Sequence, residues 1–176
     1  MKSNLLLLTL LLMGTLFVSC KKEDFRHQND FENSFQKWLD FKEASDNSYR
    51  YRIAGGSWTG TGWETIITVS KGKVVQRYYK FSFPVGWTGT IPGNDETEWT
   101  ENESEINSHE HTGAAGAVTL DQVYEEARNN WLRKRSNAET YFEAKNNGII
   151  SSCGYVEDGC QDDCFNGITI TFVEAL

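Results

Sequence analysis

The chain has 176 residues, a length that fits a single domain, and a formal net charge of −8. Because an acidic protein is repelled by nucleic-acid phosphates, this charge argues against a nucleic-acid partner. Aromatic residues make up 13% of the sequence, which is enough to build a hydrophobic core. The sequence has 2 prolines and 15 glycines, a balance that suits a sheet with tight turns.

The first element is an apolar amino-terminal run that predicts export from the cytoplasm. Lys2 precedes the run from Leu5 to Val18. The run is shorter than the roughly 20 residues of a membrane-spanning helix, and it has the length of a signal-peptide core. The run ends in Phe17-Val18-Ser19-Cys20. This motif resembles the lipobox of bacterial lipoproteins, although Phe17 stands where leucine is usual.

The lipobox resemblance implies that Cys20 is diacylated, carries a palmitate-type anchor and becomes the mature amino terminus. More than one acyl chain is enough for stable membrane anchoring. The alternatives are an ordinary signal peptide with a chance cysteine, or a short membrane helix. The charged Lys21–Asp24 segment argues against continued membrane burial. Its Lys22-Glu23-Asp24 resembles the signal that sends some lipoproteins to the cell surface. We therefore expect an outer-membrane, surface-displayed lipoprotein, with attachment at the periplasmic face as the alternative.

The sequence predicts residues 1–19 as signal peptide, 20–30 as lipidated tether and 31–176 as one domain. The first helix is predicted from apolar residues spaced i, i+4, i+7 and i+8, with Asn29 or Asp30 as its N-cap. The helix is expected to end at Ser45-Asp46-Asn47. The residues of its apolar stripe are Phe31, Phe35, Trp38 and Leu39.

Three strands are predicted next. Tyr49, Tyr51 and Ile53 alternate with arginines, as in a half-buried strand. The glycine-rich stretch 55–62 lacks the lysine and ending of a phosphate loop, so it indicates a connection. Residues 63–83 then alternate on both sides of a Lys71-Gly72 turn, which predicts a hairpin.

This order resembles a family of small bacterial lipoprotein domains of unknown function. The resemblance rests on the helix with an embedded tryptophan, the Tyr-x-Tyr strand and the ITV-x-x-G-x-VV hairpin. It also rests on Thr119-Leu120-Asp121-Gln122-Val123-Tyr124, which matches the opening of that family's second helix. The resemblance covers roughly residues 35–175 and implies a fold but no activity. The segment between the hairpin and the second helix, and the cysteine-rich ending, depart from the family's pattern.

Residues 84–118 are predicted to form a long, solvated, acidic loop, of a length that is usually functional or disordered. His109 and His111 would project to one side of an extended strand, where Glu105 or a neighbouring glutamate could complete a divalent-metal site. The alternative is a charged, mobile loop.

Thr119 is the predicted N-cap of the second helix, whose apolar stripe is Leu120, Val123, Tyr124, Ala127 and Trp131. Basic residues gather toward the end of this helix, as the helix dipole favours: Arg128, Arg133, Lys134 and Arg135. This compact basic patch could dock an acidic partner or the acidic loop, although the dipole alone is sufficient to explain it.

The chain is predicted to finish with a hairpin, 139–145 and 149–155, and a last strand, 168–173. Continuation of the helix through Ala144 is the alternative to the first of these strands. Three cysteines follow Cys20, and outside the cytoplasm a disulfide is expected. We predict a Cys153–Cys164 bridge that closes the base of a loop. The acids of this loop invite a calcium proposal, but they lack EF-hand spacing.

The predicted fold is α+β: an antiparallel sheet with two helices packed on one face, in αβββ–αβββ order. No nucleophile motif is present, so an enzyme is not predicted. The predicted function is a membrane-anchored binding module for a protein or glycan partner, with Trp58, Trp87 and Trp99 as candidate contacts. These tryptophans could instead be partly buried under the loops. The alternatives are divalent-metal capture, and an enzyme or hydrolase accessory; otherwise no cofactor is expected.

Overall fold

The computed structural model describes residues 25–88, 96–109, 113–162 and 164–176. Cys20 and His111 lie outside these residues. No helix of the described part is long and apolar enough to cross a membrane. The elements in chain order are α1 (Gln28–Ala44), β1 (Tyr49–Gly56), β2 (Gly62–Ser70), β3 (Lys73–Ser82), β4 (Glu98–Asn102), a 3₁₀ turn (Glu103–Glu105), α2 (Leu120–Glu126), a π-helical turn (Ala127–Trp131), β5 (Ala138–Glu143), β6 (Ser152–Glu157) and β7 (Asn166–Ala175).

Within the described residues, the strands form one seven-stranded sheet in the order β4-β3-β2-β1-β7-β6-β5. Every neighbouring pair is antiparallel. Each half of the chain contributes a helix followed by a meander, and β1 joins the halves by pairing with β7. The predicted α+β class is confirmed, and the structure adds β4 to the predicted αβββ–αβββ order.

One face of the sheet carries the hydrophobic core. On β1, Tyr49, Tyr51 and Ile53 are buried, whereas the arginines between them point to the other face. The Trp38 ring of α1 packs edge-on at 5.0 Å from the Tyr49 ring. Because successive strand residues alternate between faces, this period-two pattern is sufficient to place the helices on the tyrosine side.

Tyr124 of α2 holds the two helices together. Its hydroxyl donates to the Ser34 carbonyl at 3.0 Å and lies 2.7 Å from the Ser34 hydroxyl. The same oxygen accepts the Ile150 N–H at 3.2 Å. Burial raises the pKa of Tyr124 to about 12, so it remains a neutral phenol. A buried hydroxyl without such partners would carry a desolvation cost, and the three contacts remove that cost.

The folded part begins before the predicted boundary at residue 31. Helix α1 starts at Gln28, with His27 at the N-cap position in place of the predicted Asn29 or Asp30. The Phe25 ring packs edge-on at 5.4 Å from the Phe31 ring. Residues 25–30, which were predicted to be tether, are therefore part of the fold. The apolar stripe of α1 also ends earlier than predicted, because Leu39 is 37% exposed.

The predicted solvated loop 84–118 is corrected in two respects. It contains β4, which pairs with β3 at the edge of the sheet. Its later residues lie against the core face: Ala115 N–H donates to the buried Thr65 hydroxyl at 2.9 Å, and Val118 packs against the core. This segment covers the sheet over β3 and β4, where its Ala115 and His109 carbonyls accept hydrogen bonds from Arg77.

The last strands are displaced from their predicted ranges. Strands β5 and β6 are joined through a turn in which Asn147 and Gly148 have φ of 52° and 90°. This left-handed geometry favours the asparagine–glycine pair found there. The strand after the turn resumes only at Ser152, because Ile149 and Ile150 enter the core as an irregular segment.

Candidate functional site

A groove of about 660 Å³ opens between α2 and the core face of the sheet. Its sheet side is formed by Ile53 of β1, Trp63 of β2 and Ile168 of β7. Val118, just before α2, and Trp131, in the π-helical turn, add further apolar surface. A concave, mostly apolar site with a few polar groups is the usual form of a small-ligand site.

Trp63 owes its position to a glycine on the neighbouring strand. Gly55 lies opposite Trp63 in the β1–β2 pairing. A Cβ atom at Gly55 would lie 2.7 Å from the Trp63 indole, so this close approach requires the absence of a side chain. The absence of a side chain at Gly55 therefore allows the indole of Trp63 to pack directly on the backbone of β1, at the wall of the groove.

The opposite side of the groove is a polar stripe of α2 and the turn that follows. Its four exposed residues are spaced i, i+3, i+4 and i+7, as on one helix face: Gln122, Glu125, Glu126 and Asn129. The side-chain carbonyl of Gln122 accepts the Thr119 N–H at 2.8 Å, and the Glu126 carboxylate accepts from the side-chain amide of Asn130 at 2.6 Å. The side chains of Glu125 and Asn129 have no hydrogen-bond partner among the described residues.

The π-helical turn shapes this end of the groove. Leu132 N–H donates to the Ala127 carbonyl at 2.9 Å, a bond that spans five residues. In a regular α-helix, side chains five residues apart point in directions about 140° apart, so the two would not face the same core. Here both Ala127 and Leu132 are fully buried. The wider turn permits this burial while Asn129 and Trp131 line the groove. Such turns occur frequently at functional sites.

The charges of the groove favour some ligands over others. Glu125 and Glu126 contribute carboxylates, and among the described residues that line the groove none is cationic. An anionic ligand would therefore be repelled. A neutral or amine-bearing ligand would find carboxylate and amide groups for its hydrogen-bonding atoms and indole rings for its apolar surface.

A second polar centre lies beneath the acidic segment. The guanidinium of Arg77 on β3 donates two hydrogen bonds, each 2.8 Å long, to the carboxylate of Glu101 on β4. Glu101 is fully buried and Arg77 is 4% exposed. The Glu101 carboxylate also accepts the backbone N–H groups of Asn107 and His109, each at 2.8 Å. Burial alone would raise the pKa of Glu101, but these hydrogen bonds lower it to about 2.

The predicted metal ligands have other contacts in the structure. The His109 ring stacks at 4.4 Å on the Trp99 ring, and its Nδ1 lies 3.0 Å from Glu101. Glu105 accepts the Asn102 N–H at 3.2 Å and thereby caps the 3₁₀ turn. Because His111 is not among the described residues, the His109–His111 pair stays a prediction. In the described part, no group of three or more potential ligands is arranged to hold a metal ion.

The three predicted tryptophan contacts have different environments. Trp58 is 89% exposed in the β1–β2 connection. Trp87 is 50% exposed and stacks at 5.6 Å on Phe83. Trp99 is 6% exposed and packs on Tyr79. It therefore follows the alternative prediction, in which the tryptophan is buried under the loop. None of these three residues lines the groove.

The predicted Cys153–Cys164 disulfide is wrong. The structure pairs Cys160 with Cys164, whose Cα atoms are 6.0 Å apart. Cys153 is a free, fully buried thiol of β6, and burial raises its pKa to about 12. Its side chain is in the core beside the sheet, whereas the other two cysteines lie in the loop beyond β6. The bridge therefore closes the tip of that loop and leaves its base open.

Sequence reasoning did not identify the groove. Its residues come from four separate parts of the chain, and Trp63 and Trp131 were interpreted only as core positions. One signal was present: the polar stripe from Gln122 to Asn129 runs beside the apolar stripe of the same helix. On its own, such a stripe is typical of any solvated helix face.

No protein-family model, curated protein or solved structure matches this chain.

Proposed function

We propose that this chain is a lipid-anchored binding protein of the bacterial cell envelope, and that its groove holds a neutral or amine-bearing saccharide. The observation that carries the proposal is the groove itself, which is lined by two tryptophans, Trp63 and Trp131, together with the exposed polar stripe of α2. The proposed role is binding and not catalysis. The proposed anchor rests on the motif that ends in Cys20.

A saccharide suits both sides of the groove. The C–H groups of a sugar ring carry partial positive charge and pack on the negative face of an indole. Its hydroxyl groups both donate and accept hydrogen bonds, so they suit the carboxylates of the stripe, which accept, and its side-chain amides, which do both. Glu125 and Asn129 are available for this purpose because their side chains have no partner within the described part of the chain. The carboxylates exclude acidic sugars.

The test compares three oligosaccharides that differ in charge. They are an N-acetylglucosamine oligomer, its deacetylated cationic form and an anionic uronic-acid oligomer of equal length. We expect the first two to raise the midpoint of thermal unfolding, because a ligand that binds the native state stabilises it by mass action. The uronic-acid oligomer is expected to leave the midpoint unchanged. Calorimetric titration would give the affinities.

Variants then place the binding in the groove. Asn129→Ala and Glu125→Gln alter exposed side chains and are expected to weaken binding about tenfold each, the equivalent of about 1.4 kcal/mol. Trp58→Ala is the matched control, because Trp58 is exposed and lies outside the groove. Equal weakening by all three variants, or no binding of either neutral or cationic oligomer, would overturn the saccharide proposal.

The anchor has a separate test. Cys20→Ala is expected to move the protein from the membrane fraction to the soluble fraction. Proteinase added to intact cells is expected to degrade the domain if it is displayed on the surface, and to spare it if it faces the periplasm. Retention of the Cys20→Ala variant in the membrane would contradict the lipid anchor.

A further inference from the structure

A second hollow, of about 440 Å³, lies where the chain enters the fold. It is lined by Phe25 and Arg26 from the amino-terminal segment, and by Leu132, Lys134 and Arg135 after the π-helical turn. In the part of the chain that the structure describes, no residue lines both this hollow and the groove. Three of its lining side chains, those of Arg26, Lys134 and Arg135, are cationic. Neither the proposed saccharide site nor the core requires cationic side chains at this position.

The cationic groups of this hollow are held in place or exposed. Arg135 stacks at 3.7 Å on the Tyr155 ring and donates to the Asn130 carbonyl at 2.9 Å. Its hydrogen-bond partners are uncharged, so its charge is not neutralised by them. Lys134 is exposed and has no ion-pair partner among the described residues. Arg26 is paired at 2.7 Å with Glu139, but this contact is largely solvent-exposed and therefore weak.

The distance between the hollow and the proposed anchor has an upper limit. Five residue steps separate Cys20 from Phe25, and an extended chain of this length spans at most about 18 Å. Phe25 itself is held in the fold by its contact with Phe31. A lipid on Cys20 therefore keeps this hollow within about 18 Å of the bilayer, whatever path the intervening residues take.

The charge of the whole chain makes one orientation favourable. The chain carries a net charge of −8, so most of its surface is repelled by anionic lipid. Each lysine or arginine brought to an anionic bilayer surface contributes a binding factor of about five. The hollow concentrates three such residues beside the tether.

We propose that the hollow formed by Arg26, Lys134 and Arg135 rests on the phosphate groups of anionic membrane lipids and orients the domain on the bilayer. This inference depends on the lipid anchor of the proposed function and is independent of the saccharide site. The hollow supplies too little attraction to anchor the protein alone. Its effect is to select which face of the tethered domain lies against the membrane.

The test uses the mature lipidated protein in vesicles of zwitterionic lipid, with or without about one third anionic phosphatidylglycerol. An amine-acetylating reagent is added, and modification of individual lysines is followed by mass spectrometry. Lys134 is expected to react about fivefold more slowly in the anionic vesicles. Lys71 is the internal control, because it is exposed in the β2–β3 turn and is expected to react equally in both. Salt at about 0.5 M is expected to remove the difference.

The outcomes separate the possible failures. Equal slowing at Lys134 and Lys71, or slowing at neither, would overturn the proposed orientation. If inorganic phosphate slowed Lys134 equally in zwitterionic vesicles, the hollow would be a site for free phosphate and not a membrane surface. Failure of the protein to float with either kind of vesicle would instead reject the lipid anchor on which the inference depends.

Discussion

Glu101 shows how one side chain fixes the position of a long irregular segment. Its carboxylate joins Arg77 on the neighbouring strand to the backbone N–H groups of Asn107 and His109. A buried carboxylate remains charged only when such partners replace the water it has lost. The covering segment over β3 and β4 therefore depends on a buried charge in addition to its apolar contacts with the core.

Replacement of Glu101 by glutamine tests this dependence. Glu101→Gln leaves Arg77 buried without a counter-charge and is expected to reduce the free energy of unfolding by about 3–5 kcal/mol. Urea unfolding followed by tryptophan fluorescence would measure the change. Glu98→Gln is the control, because Glu98 lies on the same strand but pairs with Lys80 at the surface. That change is expected to cost at most about 1 kcal/mol, and equal effects of the two substitutions would contradict the proposed role.

The lowered pKa of Glu101 also predicts a pH dependence. The pKa falls from an ordinary value of 4.5 to about 2 on folding, so the unfolded chain binds the proton more tightly. The resulting stability is fully present above about pH 4.5 and is lost as the pH falls toward 2. Unfolding measured across this range should show a shallower slope for Glu101→Gln than for the unmodified chain. Identical slopes would mean that Glu101 does not titrate as described.

The cysteines provide a prediction that needs no substitution in the core. In the Cys20→Ala form, Cys153 is expected to resist iodoacetamide in the folded state, because its thiol is buried and its pKa is raised to about 12. Unfolding without reductant should expose one reactive thiol, and reduction should add the two of Cys160 and Cys164. Peptide mapping by mass spectrometry would identify them. Rapid alkylation of Cys153 in the folded protein would contradict its burial.

At the scale of elements, α2 depends on its first turn. The helix has only 7 residues before the π-helical turn, too few to be stable by itself. Thr119 and Gln122 form a reciprocal capping box. The Tyr49 hydroxyl accepts the Leu120 N–H at 2.9 Å, and the Tyr51 hydroxyl donates to the Val118 carbonyl at 2.6 Å. The start of α2 is thus attached directly to β1.

Thr119→Ala removes the side-chain half of this cap. We expect a loss of about 1 kcal/mol in the free energy of unfolding. Since α2 carries the polar side of the groove, saccharide affinity is expected to fall as well. The comparison is Thr100→Ala, on an exposed position of β4. If the two substitutions changed stability equally, the cap would have no measurable role.

The strongly periodic elements were predictable at this scale, and β4 was not. α1, the β2–β3 hairpin and the Thr119 cap follow from local spacing and capping chemistry. In β4 the two inward positions are Trp99 and Glu101. A strand is recognised in a sequence by the alternation of apolar and polar residues, and a glutamate at an inward position breaks that pattern. Glu101 can be buried only because Arg77 of another strand pairs with it. The groove was unpredictable for the same reason, since it exists only after distant segments have been brought together.

At the scale of the whole molecule, the amino-terminal segment completes the fold. Phe25 packs against the core, and His27 Nε2 lies 2.9 Å from the Thr140 carbonyl. Thr140 belongs to β5, which forms one edge of the sheet in the described structure. The ring of His27 therefore gives a hydrogen-bond partner to one backbone carbonyl of this edge strand.

Truncation measures this contribution. A chain of residues 28–176 is expected to be about 1–3 kcal/mol less stable than one of residues 25–176, because it loses the partly buried Phe25 and the His27 contact. Thermal and urea unfolding would provide the comparison. Phe25→Ala in the longer chain should reproduce most of the loss. If the two chains were equally stable, residues 25–27 would contribute nothing to the fold, and the predicted domain boundary near residue 31 would be supported.

The pairing of β1 with β7 also has a consequence for the time course of folding. Arg50 of β1 lies opposite Glu174 of β7, and the two residues are 124 positions apart in the sequence. Contacts between residues so far apart in sequence form late, because a long loop must first be closed. Until the last strand arrives, the tyrosines of β1 lack one of their two neighbouring strands. We therefore expect slow folding, with the exposed centre of the unfinished sheet as the state most prone to aggregation.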